Sequence, residues 1–295
     1  MNNPFLGTGI AIVTPFKKDG SVDHDSLKNI VEYNIKNGTN YIVISGTTGE
    51  SVTVTPNEKK AVIKTISETN EGRLPLVLGI GGNNTAKVIE EIQNTDLSAF
   101  AGILSVSPYY SKPTQEGIYQ HFKAIAEVCP IGIILYNVPG RTASNMSPET
   151  TLRLANDFEN IVAVKEAGNS MSQYLQLLRD KPDGFGVISG DDDLVLGVLL
   201  AGGDGVISVI GQALPKAFSQ MIDLGRAGKA KEAYAIHFDL MEITSLIFSE
   251  NNPSGIKAVL QALDLCNDTV RLPLVTATDS LKQKIRSFLT GFKNK

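Results

Sequence analysis

Eight short apolar runs recur along the chain, at 10–13, 41–44, 76–80, 103–106, 131–136, 161–164, 185–188 and 205–209. Each is apolar throughout instead of alternating with polar residues. That is the pattern of strands buried on both faces, as in a parallel sheet. The starts of successive runs lie roughly 20–35 residues apart, room for one strand and one helix. The segments between them carry helix signals. In 25–36, Leu27, Ile30, Val31 and Ile35 recur at helical spacing, and Asn37-Gly38 is a stop signal. Thr55-Pro56 with Glu58, and Ser147-Pro148-Glu149, read as helix starts, because proline and acidic residues suit a first turn. Eight strand–helix alternations close most economically as an α/β fold of the (β/α)8 TIM-barrel type. A doubly wound sheet is the alternative, but it usually holds fewer strands in this length.

The helix after the eighth run extends to about Leu224, by the same periodicity. Beyond it, 228–248 predicts a long amphipathic helix with Ala233, Ile236, Leu240, Ile243 and Ile247 near one face. The segments 254–263 and 280–288 read as helical too. The expected organisation is a barrel over residues 1–224 carrying the active site and a C-terminal helical domain over 225–295, a candidate dimer-forming element.

Composition narrows the function. The chain has 295 residues, 42% hydrophobic and 20% charged, which suits a soluble domain with a sizeable core. Lys and Arg number 27 against 31 Asp and Glu, a net charge of −4. That balance disfavours nucleic acid as a partner, since phosphate neutralisation needs a basic surface, and it disfavours an anionic membrane surface. The longest apolar run near the middle, 194–201, is far short of the roughly 20 residues that span a bilayer. No Lys or Arg precedes Lys17, so a signal-peptide n-region is not expected. The two cysteines, Cys129 and Cys266, have neither pairing nor metal spacing, and the expected setting is the reducing cytoplasm. The three histidines, His24, His121 and His237, are widely spaced, and no HExxH or CxxC occurs, so no metal site is expected. Metal-dependent aldol chemistry and zinc hydrolysis are thereby disfavoured.

Barrel enzymes carry their chemistry on the loops at strand C-termini. Lys165 closes the sixth run and would point into or near the barrel mouth. A free lysine, with a pKa of about 10.4, is neutral in only ~1 copy in 2,500 at pH 7. Burial penalises the ammonium, and a neutral amine is what a Schiff-base nucleophile requires. The same position also suits a lysine snorkelling at the strand end to pair with Glu166. Tyr136 closes the fifth run, where a phenol can pass protons or simply fill the core. Thr47 and Thr48 lie between glycines, in a loop able to offer hydroxyls and N–H groups to a carboxylate or to form an ordinary turn. Tyr109 and Tyr110 beside Pro108 suit packing, and Arg141 suits either a carboxylate clamp or a solvated loop. Gly79-Ile80-Gly81-Gly82-Asn83 lacks the full glycine spacing of a dinucleotide loop. Asp191 to Asp193 read as caps opposing a helix dipole instead of cation ligands. A lysine, a tyrosine, a threonine pair and an arginine converging on one rim fit a Lys-dependent aldolase site.

The ordered set of motifs resembles the dihydrodipicolinate synthase (4-hydroxy-tetrahydrodipicolinate synthase) family, within the N-acetylneuraminate lyase superfamily. It runs over essentially the whole chain. It comprises Gly9-Ile10-Ala11-Ile12-Val13-Thr14-Pro15-Phe16, Gly46-Thr47-Thr48-Gly49-Glu50-Ser51, Pro108-Tyr109-Tyr110, Tyr136-Asn137-Val138-Pro139-Gly140-Arg141-Thr142, Val164-Lys165-Glu166, Ser189-Gly190-Asp191-Asp192 and Gly205-Val206-Ile207-Ser208-Val209. The resemblance implies a lyase that condenses pyruvate with L-aspartate 4-semialdehyde. The product would be 4-hydroxy-tetrahydrodipicolinate, on the route to diaminopimelate and lysine. It implies no cofactor beyond the covalent Schiff base of pyruvate on Lys165. Tyr136 would transfer protons. Thr47 would link Tyr136 to Tyr110, with Tyr110 reaching into a neighbouring subunit's site. Thr48 and the loop amides would hold the pyruvate carboxylate, Arg141 would receive the carboxylate of the semialdehyde, and Gly190 and Ile207 would contribute backbone oxygens near the lysine. A homotetramer built as a dimer of dimers is implied. The alternative is another Lys-dependent pyruvate aldolase, such as an N-acetylneuraminate lyase or a 2-keto-3-deoxygluconate aldolase. The Thr47-Thr48 pair and Arg141 favour the synthase.

One region departs from the lysine-inhibited members of that family. Ser51, Asn83 and Tyr109 match their feedback pocket, whereas Pro56, Lys59 and Lys87 stand where histidines and a glutamate are usual. Two added cations would repel the ammonium of lysine, so weak or absent feedback by L-lysine is expected.

Overall fold

A computed structural model describes residues 4–293 of the chain. Eight parallel strands close into a barrel: β1 (Gly7–Ala11), β2 (Tyr41–Ile44), β3 (Leu76–Gly79), β4 (Gly102–Val106), β5 (Gly132–Asn137), β6 (Ile161–Glu166), β7 (Gly186–Ser189) and β8 (Gly205–Ser208). β1 pairs with both β2 and β8, leaving no free edge. All eight expected runs are strands; the second, Tyr41–Ile44, matches its run and the others are displaced at an end. The first begins three residues earlier than its apolar run, at Gly7 and Thr8. Ile12 and Val13 lie beyond it, with their amides on the Val43 carbonyl and the Gln212 side chain. β6 runs two residues further than expected, so Lys165 and Glu166 lie within the strand.

Successive strand residues face opposite layers. Tyr41, Val43, Val77, Ile134, Tyr136, Ala163, Ile188 and Ile207 fill the barrel interior. Ile42, Ile44, Leu78, Ile103, Ile133, Leu135, Val164, Val187 and Val206 face the surrounding helices. Both layers are dry, which is why the sequence runs show no alternation. Phe5 packs edge-on against Tyr41 within the interior cluster, their ring centroids 5.9 Å apart, and the Tyr41 hydroxyl donates to the Val206 carbonyl at 3.0 Å. Gly9 makes room for that ring, since a Cβ there would lie 2.2 Å from it.

The β5–β6 ladder contains one irregularity. Ile133 pairs with Ile161, but Ile134 pairs with Ala163, so Val162 is an extra residue on β6. A bulge of this kind reverses the facing of everything beyond it. Gly132 sits against the bulged side chain, where a Cβ would lie 3.0 Å from Val162. Beyond the bulge the register is Tyr136 with Lys165, and Lys165 with Ile188.

The helix starts form as the sequence signals them. Thr55 and Glu58 make a full capping box on Pro56–Asn70, and Ser147 caps Pro148–Asp157. After Pro215–Arg226 the chain forms Ala230–Ser249, Ser254–Ala262 and Asp279–Lys293. Leu240, Ile243, Ile247, Val259, Leu260 and Ile285 of these helices join the same apolar cluster as the barrel's outer layer. Among the described residues no helix is long and apolar enough to cross a membrane.

Candidate active site

Lys165 and Tyr136 project from neighbouring strands into the upper end of the barrel. Lys165 is only 6% exposed, and its Nζ lies 4.5 Å from the centroid of the Tyr136 ring. Gly190, in the loop after β7, frames the lysine stem: a Cβ there would stand 2.9 Å from Lys165 Cε. A cavity of about 730 Å³ opens above them, lined by Thr47, Thr48, Tyr136, Arg141, Lys165 and Gly190 among others. Its outer wall comes from Ala230–Ser249, through His237, Met241, Thr244 and Phe248, and from Asn252.

Glu166 does not pair with Lys165. The next residue on a strand faces the other layer, and there Glu166 accepts from Asn137 Nδ2 at 2.9 and 3.1 Å and from Gln173 Nε2 at 2.7 Å. Burial outweighs those donors and pushes its carboxyl up to about 7. The acids within electrostatic reach of Lys165 are Asp191 and Asp192. Burial raises Asp191 to about 6 and raises Asp192, and the lysine charge opposes both shifts.

The loop after β2 forms a short 3-10 turn, Thr47–Gly49, closed by Glu50 in the left-handed region. Thr14 Oγ1 donates to the Gly49 carbonyl at 2.7 Å. Thr47 is exposed and lines the cavity, while Thr48 is buried and its Oγ1 accepts from Asn252 Nδ2 at 2.9 Å. Glu50 turns away into a buried ion pair with Lys257, 2.5 Å long, and also accepts from the Arg271 amide at 3.0 Å. Lys257 lies 4.2 Å from the Phe16 ring centroid and donates to the Thr269 carbonyl. Arg141 sits exposed on the short helical turn Pro139–Thr142, and its Nη2 donates to the Asn252 carbonyl at 3.4 Å. Asn252 therefore ties together the two loops expected to hold substrate carboxylates. Sequence reasoning missed both Asn252 and Lys257. The available signal was a lysine inside the apolar segment 254–263.

Two expected residues stand outside this cavity. Tyr110 is 90% exposed at a left-handed backbone position (φ 71°) and lines neither this cavity nor the one that adjoins it. Ile207 lies in the barrel interior, packed in the same cluster as Tyr136 and Ile188. The aspartates after β7 do not cap the helix that follows, as the sequence suggests. Val195–Leu200 has no side-chain cap. Asp192 instead accepts from the amides of Val209 and Ile210, at 3.0 and 2.9 Å, and anchors the end of β8. Gly79, from the glycine-rich stretch discounted as a nucleotide loop, is a packing requirement: a Cβ there would lie 2.3 Å from the Ser45 carbonyl oxygen.

A second cavity of about 950 Å³ adjoins the first through Gly46, Thr47, Tyr136, Val138 and Arg141 and reaches Ser51, Pro56, Lys59 and Tyr109. Lys59 is not a free cation. Its Nζ donates to Glu91 at 2.6 Å and to the Gly79 carbonyl at 2.9 Å. Of the two added cations expected to repel a lysine ligand, Lys59 is therefore partly offset by Glu91.

Comparison with known proteins gives one consistent result. The sequence profile of the Dihydrodipicolinate synthetase family matches residues 4–291. The 4-hydroxy-tetrahydrodipicolinate synthase of Flavobacterium psychrophilum is 57% identical over 284 residues, covering 96% of this chain and 97% of its own. A monomeric dihydrodipicolinate synthase variant superposes with a TM-score of 0.95 at 38% identity, over 97% of this chain and 96% of that one. The chloride-inhibited dihydrodipicolinate synthase of Acinetobacter baumannii, complexed with pyruvate, superposes with a TM-score of 0.93 at 38% identity, over 97% and 98%. A near-complete match in sequence, on a barrel whose mouth holds a buried lysine beside a tyrosine, leads to one conclusion: the chain belongs to the dihydrodipicolinate synthetase family.

Proposed function

We propose that this chain condenses pyruvate with L-aspartate 4-semialdehyde to form 4-hydroxy-tetrahydrodipicolinate, with Lys165 as the Schiff-base nucleophile and no separate cofactor. The observation that carries this reading is the buried Lys165 amine, 4.5 Å from the Tyr136 ring at the mouth of a closed barrel. The neutral amine adds to the ketone carbon of pyruvate, and loss of water leaves an imine. Imine formation acidifies the methyl carbon, whose lost proton gives an enamine. That carbon attacks the aldehyde and forms the new C–C bond. The semialdehyde's amine then adds to the imine carbon, closes the ring and displaces Lys165. Tyr136 is assigned the proton transfers, since its phenol belongs to the residue directly beside Lys165 in the strand register. The Thr47–Thr48 turn is assigned the pyruvate carboxylate, and Arg141, exposed at the rim, the carboxylate of the semialdehyde. Gly190 and Ile207 are assigned backbone oxygens near the amine.

Tyr110 serves a second copy of the chain in this reading, and the working assembly is a homotetramer made of two tight dimers. The support is a phenol and Val52, 90% and 87% exposed respectively, on loops beside the second cavity. The proposed setting is the cytoplasm. Both thiols are free and buried, and burial pushes Cys266 up to about 12, consistent with an unreactive thiol in a reducing compartment.

Five outcomes test these assignments. Pyruvate with borohydride should attach a reduced three-carbon adduct to the Lys165 peptide, seen by mass spectrometry; an unmodified peptide from an active preparation would refute the nucleophile. Among aldehydes assayed with pyruvate, aspartate semialdehyde should turn over fastest, ahead of the aldehydes released from sialic acid and ketodeoxygluconate. Arg141→Ala should raise the semialdehyde KM by ~10–100-fold, as expected for a lost charge-assisted contact, and leave adduct formation intact. Sedimentation should give a tetramer, with Tyr110→Arg dissociating it and lowering kcat; an active wild-type monomer contradicts the shared site. L-lysine should inhibit weakly or not at all, because the Lys59 ammonium already holds the Gly79 carbonyl. Inhibition at sub-millimolar lysine overturns that expectation.

A further inference from the structure

Tyr174 takes no part in the steps above, yet it occupies the ground directly behind the nucleophile's strand. It stands in the helix Met171–Asp180 and is fully buried. Four polar groups surround its hydroxyl. The Glu166 carbonyl is hydrogen-bonded to it, Asp191 Oδ2 lies at 3.1 Å, Ser189 Oγ at 3.2 Å, and the Gly190 amide donates to it at 3.3 Å. A phenol has one proton to give. The Glu166 carbonyl and an ionised Asp191 are both acceptors, and one proton cannot serve both. The Ser189 hydroxyl does not fill the gap, since it donates to the Asp191 carbonyl at 3.0 Å. When Tyr174 donates to Glu166, Asp191 Oδ2 therefore faces an oxygen lone pair unless it carries a proton itself.

We propose that Tyr174 is a positioning residue that shares a proton with Asp191 and thereby couples the Ser189-Gly190-Asp191 loop to the strand bearing Lys165. The inference rests on the Schiff-base reading. Two linked states follow. With Asp191 ionised, the phenol donates to the carboxylate, and that carboxylate is the counter-charge for the protonated imine on Lys165. With Asp191 protonated, the phenol donates to the Glu166 carbonyl, and the counter-charge is lost. The loop cannot shift freely between these states. The Gly190 amide also donates to the Glu166 carbonyl, at 2.6 Å, and a Cβ on Gly190 would lie 2.9 Å from Lys165 Cε. The charged and titratable groups around Asp191 are Lys165 and Glu166 from β6, Tyr174 from the helix behind it, and Asp192 and Asp193 on its own loop, with His237 of Ala230–Ser249 facing Asp193. Burial holds Asp191 up, and the Asn169 amide, Tyr174 and Lys165 oppose that rise.

Tyr174→Phe keeps the ring and removes the hydroxyl. A charge-assisted bond to the carboxylate is stronger than one to the acid, so its loss disfavours ionisation. The acid limb of kcat should therefore move to higher pH by ~0.5–1 unit. kcat at neutral pH should fall ~10-fold through misplacement of the loop, with the pyruvate KM within about two-fold. Tyr119→Phe removes another buried-side phenol, bonded to Asp157 at 2.7 Å between two outer helices, and should leave the profile unchanged. An unaltered acid limb in folded Tyr174→Phe, with or without lost activity, overturns the proposal. If that variant does not fold, Asp191→Asn decides: loss of the acid limb supports the proposal, and an unchanged limb overturns it. Failure of the wild type to form the borohydride-trapped adduct would instead strike the Schiff-base reading, which separates the two.

Discussion

One extra residue in β6 determines which way the reactive amine points. With Val162 bulged, Tyr136 and Lys165 share a register and both face the barrel interior. An uninterrupted ladder from Ile133–Ile161 would pair Tyr136 with Val164 and turn Lys165 outward, toward the helices where Glu166 now sits. Gly132, the residue facing Val162 from β5, leaves room for the bulged side chain, since a Cβ there would lie 3.0 Å from it.

The two faces of β6 then place opposite demands on charge. Inside, Lys165 stands over the Tyr136 ring, its Nζ 4.5 Å from the centroid, with Asp191 and Asp192 within electrostatic reach. Outside, Glu166 sits in a dry layer satisfied by Asn137 and Gln173. On that outer face the carboxylate makes no ion pair with the lysine. The acids that remain lie on the loop after β7, and their hydrogen bonds go to backbone amides and to Tyr174.

The C-terminal segments complete the site instead of merely covering it. Asn252 holds Thr48 and reaches Arg141, while Lys257 and Arg271 anchor the residue that closes the Thr47–Gly49 turn. The Glu50–Lys257 pair is buried on both sides, and losing one partner from such a pair costs about 3–5 kcal/mol. Burial draws the Lys257 amine down, and Glu50 opposes that. The Thr47–Gly49 turn and the Glu50 that closes it are therefore tied to residues some 200 positions away in sequence.

The eight runs, their spacing and the caps at Thr55 and Ser147 were legible because strand burial and helix capping are local properties of the chain. So was the convergence of Lys165, Tyr136, Thr47, Thr48 and Arg141 on one rim, since every parallel strand of a barrel ends at the same face. Strand ends shifted by one to three residues because glycines and polar residues complete ladders without an apolar signal, as at Gly7 and Glu166. The bulge at Val162, the Asn252 bridge, the partner that Lys257 finds in Glu50, the true partners of Asp192 and the crowded hydroxyl of Tyr174 left no readable mark. Each depends on which distant backbone or side chain arrives opposite, and only closure of the barrel decides that.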